Sequence, residues 1–216
     1  VRTVVRPASA RRKVLEFVAA EVAQGGRAYV VYPFIEAAEE IPAAALREHE
    51  ALVRRLCPGV GVGVLHGRLS REQRDEVTDA FRAGAIQILL ATTVVEVGVD
   101  VPEATVMVVE SAQRFGLSQL HQLRGRVGRG ERSAWCVLLA DEGIGGAAQT
   151  RLEILSRCHD GFTIAEEDLA MRGPGELTGV RQWGPAGFRF ASLARDLALV
   201  EATRALASEL AARGEL

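Results

Sequence analysis

Lysine, cysteine and long apolar runs are scarce in this chain of 216 residues. Its apolar runs are only a few residues long, far below the roughly 20 residues that a membrane-spanning helix needs. The first residues, Val1-Arg2-Thr3, contain no hydrophobic core of a secretory signal. We therefore expect neither a transmembrane nor a secreted protein. Because Val1 is not a methionine, we also expect a fragment or a processed chain.

The three cysteines, Cys57, Cys136 and Cys158, are odd in number and far apart in the sequence. They form neither a C-x-x-C metal pair nor a plausible disulfide framework. Unpaired thiols are typical of a reducing compartment, so we expect a cytoplasmic protein without a metal site.

An excess of charge of either sign is also missing. The chain has 26 Lys plus Arg residues against 28 Asp plus Glu residues, a net charge of −2. This balance disfavours a uniformly basic nucleic-acid coat, but it leaves room for local basic patches.

Helix-like and strand-like segments alternate over the first two-thirds of the chain. The predicted strands 86–91 and 105–110 contain the uninterrupted apolar runs 88–91 and 106–109, as expected of strands covered on both faces. Ser70 and Gln73 form a capping box at the start of a helix that Gly84 ends. The predicted order is helix 11–24, strand 27–34, helix 46–56, strand 60–65, helix 70–84, strands 86–91 and 105–110, helix 117–127 and strand 134–140. This alternation predicts an α/β fold with a parallel sheet between helices, whose ligands lie at the carboxyl ends of the strands.

The character of the sequence changes near residues 143–146. Two helix-like stretches follow, about 147–159 and 163–171, then the Gly/Pro-rich segment RGPGELTGVRQWGPAG and an Ala- and Leu-rich helix from about Ala191. We therefore predict two domains, residues 1–146 and 147–216. The second is a small, mostly helical appendage.

Arginine and glycine are densest in QLHQLRGRVGRG, residues 119–130. Glycines permit close approach of the backbone to a ligand, and arginines spaced in this way suit a polyphosphate. A solvated basic loop is the alternative interpretation of such a cluster.

Four segments together indicate a family: YVVYPFIEAAEE, LHGRLS, ATTVVEVGVDVPEA and QLRGRVGR. They resemble the motif IV region, the HG element, motif V and motif VI of superfamily 2 helicases, in the order found in the second RecA-like motor domain. FGLSQLHQLRGRVGRG together with RGPGELTGVRQWG is similar to the RecG family of bacterial ATP-dependent DNA helicases. The resemblance covers essentially the whole chain, as a C-terminal portion with a RecA-like sheet followed by a helical hairpin plus loop.

The resemblance implies a role for each matched residue. Arg126 and Arg129 would be arginine fingers that reach the γ-phosphate of ATP. The residues implied in nucleotide binding are Gly98, Asp100 and Gln122. Those implied in contacts with DNA phosphates are Thr92, Thr93, His66, Gly67 and Arg68. Those implied in coupling hydrolysis to translocation are Arg151, Arg172 and Gln182.

Ordinary structural roles remain open for several of these residues when each is taken alone. Thr92 and Thr93 could simply end a strand, where β-branched residues are common. Asp100, which precedes a proline by two positions, could be a turn acid. His66 could be a core histidine.

Phosphoryl transfer in such motors requires a Walker A lysine and a Walker B acid. The sequence has no G-x-x-x-x-G-K-[ST]. CVLLADE, residues 136–142, looks like a Walker B segment, but it follows motif VI, so we interpret it as a last strand and a turn. The resemblance then implies half of a motor, inactive in ATP hydrolysis alone, with ATP and Mg²⁺ bound mainly by a first motor domain.

The implied function is the remodelling of stalled forks and Holliday junctions. The implied partners are branched or duplex DNA, ATP, the N-terminal wedge and first motor domains, and single-stranded-DNA-binding protein, with no membrane. Two alternatives stay open: the equivalent region of a transcription-repair coupling translocase, and a non-catalytic nucleic-acid-binding module with a helicase fold.

Overall fold

The computed structural model describes residues 1–33, 43–92 and 101–172, together with the helical residues Ala202 and Arg213. In chain order the strands are β1 (Arg2–Pro7), β2 (Arg27–Tyr32), β3 (Val62–Leu65), β4 (Ile88–Thr92), β5 (Ala104–Val109) and β6 (Trp135–Ala140). The α-helices are α1 (Arg11–Ala23), α2 (Ala43–Leu56), α3 (Arg71–Ala83), α4 (Leu117–Arg124), α5 (Gly146–Arg157) and α6 (Gly161–Arg172). Ala8–Ala10 and Ala112–Arg114 form 3₁₀ turns.

The strands form one six-stranded sheet in the order β1-β6-β5-β2-β4-β3, and every neighbouring pair is parallel. The predicted parallel α/β sheet is confirmed. Strand β1 was not predicted from the sequence; it pairs with β6 from Arg2 opposite Trp135 to Pro7 opposite Ala140. An edge strand has one neighbour and remains partly exposed, so RTVVRP lacks the uninterrupted apolar run of a central strand.

Helices cover both faces of the sheet, as the residues of β5 show. Val106 and Val108 pack into a cluster with buried residues of α1 and α2. Met107 and Val109 point to the other face, where they pack with residues of α3, α4 and α5. Complete burial of each such side chain contributes about 1.5–3 kcal/mol, so the sheet is stabilised from both sides.

The helix ends follow local chemistry. The predicted capping box of α3 is confirmed, because Ser70 accepts from the Gln73 backbone N–H and the Gln73 side chain accepts from that of Ser70. Gly84 closes the helix in the left-handed conformation. The strand assignment of residues 136–140 is also confirmed, since they lie in β6. Within the described residues, no helix is long and apolar enough to cross a membrane.

The chain divides into two compact units, Val1–Ile164 and Ala165–Leu216. Helix α5 packs against β1 and the turn Ala112–Arg114, and so belongs to the first unit. The domain division after residue 146 stays a prediction. The Gly/Pro-rich segment beyond Arg172 and the helix predicted from Ala191 lie outside the described residues, apart from the two isolated helical positions.

Candidate functional site

His66 and Thr92 lie side by side at the carboxyl edge of the sheet. Strands β3 and β4 are paired up to Leu65 opposite Ala91, and each predicted site residue comes next along its strand. The His66 Nδ1 accepts from the backbone N–H of Arg68 at 3.3 Å, which closes a turn that leaves Gly67 and Arg68 exposed. This turn presents a basic side chain at the edge.

Thr92 places a buried hydroxyl at this edge. The residue is 7% exposed, and its Oγ1 has no hydrogen-bond partner in the described part of the chain. Leaving a buried polar group unpaired costs about 1–3 kcal/mol, and a phosphate oxygen could accept from this hydroxyl. The geometry fits a backbone contact to nucleic acid. The adjacent Thr93 lies outside the described residues.

Arg126 and Arg129 lie near the opposite, amino edge of the sheet. Helix α4 ends at Arg124 rather than at the expected Val127, and the Gly128 N–H then donates to the carbonyl of Ala104, the first residue of β5. These two arginines therefore do not lie at the carboxyl ends of the strands, where the sequence analysis expected ligands. The structure separates them from His66 and Thr92, and Gly98 and Asp100 lie outside the described residues.

The surroundings of Arg126 suit an anion. Its side chain is partly exposed, and no group in the described ranges hydrogen-bonds or ion-pairs with its guanidinium. Gln122 and Arg129 are exposed on the same segment, and the Arg129 Nε donates to the Gly125 carbonyl at 3.0 Å. Charged donors beside a glycine-containing turn can approach a phosphoryl group closely. Together these residues can bind a phosphate group.

Arg124 has a role that the sequence analysis missed. It is 5% exposed and donates from Nη1 to the carbonyls of Leu155 and Cys158 at 2.8 and 2.7 Å. Burial lowers the pKa of Arg124. Spacing could have revealed this, because Leu117, Leu120 and Arg124 recur at intervals of three and four and share one helix face.

Of the predicted coupling residues, Arg151 is described in most detail. Its Nη2 donates to the Gln113 carbonyl at 3.0 Å, while its buried Nε has no partner among the residues described. It therefore holds α5 to the turn that follows β5. Arg172 is the last residue of α6, and Gln182 lies outside the described residues.

A second set of polar side chains, not singled out from the sequence, lies where β2 and β5 end. Arg11 donates to both carboxylate oxygens of Glu110, at 2.8 and 2.9 Å, and Glu110 is only 3% exposed. Tyr32 stacks on His49 with ring centroids 4.7 Å apart. Burial raises the pKa of Tyr32 and lowers that of His49. A glutamate directly after an apolar strand was the available signal.

No three or more His, Cys, Asp or Glu side chains described by the structure are grouped so that they could hold a metal ion.

Comparison with protein-family models assigns the chain to a family. Residues 9–131, more than half of the chain, match the helicase conserved C-terminal domain. The chain belongs to this helicase family. Residues 158–215 match the model described as ATP-dependent DNA helicase RecG, domain 3, C-terminal. The predicted resemblance to the C-terminal part of RecG is confirmed.

Individual relatives agree with this assignment. The ATP-dependent DNA helicase RecG of Thermotoga maritima is 46% identical over 215 residues, which cover 99% of this chain and 27% of that protein. RecG of Synechocystis sp. is 47% identical over 197 residues, covering 91% of this chain and 24% of that protein. A structure of RecG bound to a three-way DNA junction matches with a TM-score of 0.72 and 46% identity, over 93% of this chain and 26% of that one. The chain thus spans about a quarter of each relative.

Proposed function

We propose that this chain is the C-terminal motor segment of an ATP-dependent DNA helicase that remodels branched DNA, including stalled forks and Holliday junctions. The observation that carries the proposal is the 46% identical match to RecG bound to a three-way DNA junction. The chain works with a first motor domain and a wedge domain. In this proposal single-stranded-DNA-binding protein is a further partner. The helicase acts in the cytoplasm.

Arg126 and Arg129 act on the nucleotide in this proposal. Bound ATP with Mg²⁺ supplies the phosphoryl group that is transferred to water. The two guanidinium groups stabilise the negative charge that develops on that group, while Gln122, Gly98 and Asp100 help to position the nucleotide. The Mg²⁺ ligands belong to the first motor domain, because this sequence lacks the Walker residues.

The carboxyl edge near β3 and β4 contacts DNA in this proposal. Arg68 and the Thr92 hydroxyl meet phosphates of the tracked strand, together with the neighbouring residues His66, Gly67 and Thr93. Such contacts position a protein on DNA without reading its sequence, which suits an enzyme that acts on many junctions. Arg151, Arg172 and Gln182 couple hydrolysis to translocation within the appendage that we assign to residues 147–216.

ATP hydrolysis with and without forked DNA tests the proposal. We expect no turnover by this chain alone, and DNA-stimulated turnover when the first motor domain is added. Arg126→Ala should lower that turnover by about 10³–10⁵-fold and leave the circular dichroism spectrum unchanged, because an arginine finger acts only on developing charge. Arg132→Ala is the matched control, since it removes an exposed arginine from the same loop.

Three results would contradict the proposal. Turnover by the isolated chain would point to an unrecognised nucleotide site. Asp141 and Glu142, the acids of the segment that looks like Walker B, would then be candidates for that site. Failure of the first motor domain to restore any turnover would favour a non-catalytic binding module. Unwinding that requires RNA polymerase would favour a transcription-repair coupling translocase.

A further inference from the structure

A buried arginine joins the last turn of α4 to the C-terminal end of α5. The Arg124 Nη1 donates to the carbonyls of Leu155 and Cys158, and Nη2 lies 3.0 Å from Nδ1 of His121. Because a guanidinium only donates, the His121 Nδ1 is the acceptor and the neutral ring carries its proton on Nε2. All partners of Arg124 within the described ranges are uncharged.

The end of α5 explains why an arginine is needed here. The last carbonyls of a helix have no partner within the helix, and they form its partially negative end. One planar guanidinium can donate to two such carbonyls and to a third group at once. A lysine ammonium at the same position would lack this fork.

The contact lies between the segment that carries Arg126 and the turn that begins α6. Only Gly125 separates Arg124 from Arg126. On the other side, Gly161 is packed so closely on His121 that an added Cβ would lie 3.3 Å from Nε2. Asp160 caps the first turn of α6 by accepting from the backbone N–H and the hydroxyl of Thr163 at 2.8 and 2.7 Å. The turn is thus in contact with Arg124 through the Cys158 carbonyl and with His121 through Gly161.

We propose that Arg124, oriented by His121, is a positioning residue that transmits movement of the Arg126 segment to the turn between α5 and α6. The inference rests on the proposed function, because ATP turnover at Arg126 would drive the movement. Hydrogen-bonded side chains between rigid helices are a physical route for such coupling.

The contact itself can be tested in this chain by NMR titration of His121. Burial and the Arg124 charge lower the pKa of His121, while Asp160 opposes them. Arg124→Met should raise the pKa of His121, because it removes both the charge and the donor to Nδ1. Arg157→Met, which removes an exposed arginine from the last turn of α5, should leave it unchanged. An unchanged His121 pKa in a folded Arg124→Met protein would overturn the pairing.

The coupling role is tested in the full-length helicase by measuring forks unwound per ATP hydrolysed. Arg124→Met should lower this ratio by roughly 2- to 30-fold, the range for substitutions within coupling networks, with the KM for ATP unchanged. Arg124→Lys keeps the charge but lacks the planar guanidinium. Its ratio of forks unwound to ATP hydrolysed should lie between the ratios of Arg124→Met and wild type. Arg157→Met is again the control.

The outcomes separate this inference from the proposed function. If Arg124→Met leaves the number of forks unwound per ATP hydrolysed unchanged, whether or not both activities fall in parallel, the coupling role alone is overturned. A wild-type protein without DNA-stimulated hydrolysis would overturn the proposed function and the coupling role with it.

Discussion

Arg124 and Arg126 are separated by one glycine, yet they lie in opposite environments. Arg124 is buried and donates to three neutral groups, whereas Arg126 is partly exposed and makes no ion pair or hydrogen bond with the described residues. Residues two positions apart lie on different faces of a helix, and α4 ends at Arg124, so Arg126 lies in the loop beyond the buried helix face. At the scale of single residues, position relative to a helix end decides between a structural and a chemical role.

The backbone conformation and close packing of Gly128 also act at the scale of a single residue. It has φ +77°, and an added Cβ would lie 2.8 Å from Val1 Cγ2 and 3.0 Å from Ala134 Cβ. We expect Gly128→Ala to destabilise the fold by more than the 1–2 kcal/mol or so that a left-handed conformation alone costs. The free energy of unfolding in urea measures this.

Gly143→Ala provides the matched control, because Gly143 also has φ +77° but nothing lies within 4 Å of the added Cβ. Gly143→Ala should lower the free energy of unfolding only by the cost of placing an alanine in the left-handed conformation. Equal destabilisation by the two substitutions would show that the close packing at Gly128 contributes nothing.

At the scale of elements, local signals account for both ends of α3 but not for the edge strand β1. Helix α3 begins at a capping box and ends at a left-handed glycine, and both signals are visible in sequence. Strand β1 contains two arginines and a proline in six residues, and its stability comes from pairing with β6, which is more than 120 positions away. Sequence windows do not report such distant pairing.

The capping box permits a prediction at this scale. Ser70→Ala removes the acceptor for the Gln73 backbone N–H, so we expect a loss of about 1 kcal/mol in the free energy of unfolding. Ser156→Ala is the control, because the Ser156 hydroxyl donates only to the Glu153 carbonyl within its own helix. A loss at Ser156 as large as that at Ser70 would argue against a specific capping effect.

At the scale of the whole molecule, the first unit buries titratable groups at both edges of its sheet. Burial lowers the pKa of His49, near the ends of β2 and β5, and the pKa of His121, beside Arg124. In the unfolded chain both titrate near the ordinary histidine value of about 6.5. The unfolded state therefore binds more protons below that pH, and acid favours it.

We accordingly expect the urea midpoint to fall as the pH decreases from about 8 to about 5. The histidine contribution is fully present above the unfolded pKa and is lost as the pH falls through the lowered folded values. His121→Asn, whose amide oxygen can take the place of Nδ1, should reduce this dependence on pH. A midpoint that stays level or rises on acidification would contradict the expectation.

The sequence by itself determined the parallel α/β fold, most element bounds and the family resemblance, because uninterrupted apolar runs, helix caps and motif residues are local signals. Tertiary structure alone decided that Arg126 and Arg129 lie at the edge opposite His66 and Thr92. It also decided that Arg124 caps the end of α5 and that Arg11 pairs with Glu110. These contacts join residues from 31 to 99 positions apart, and their geometry depends on where each helix returns across the sheet.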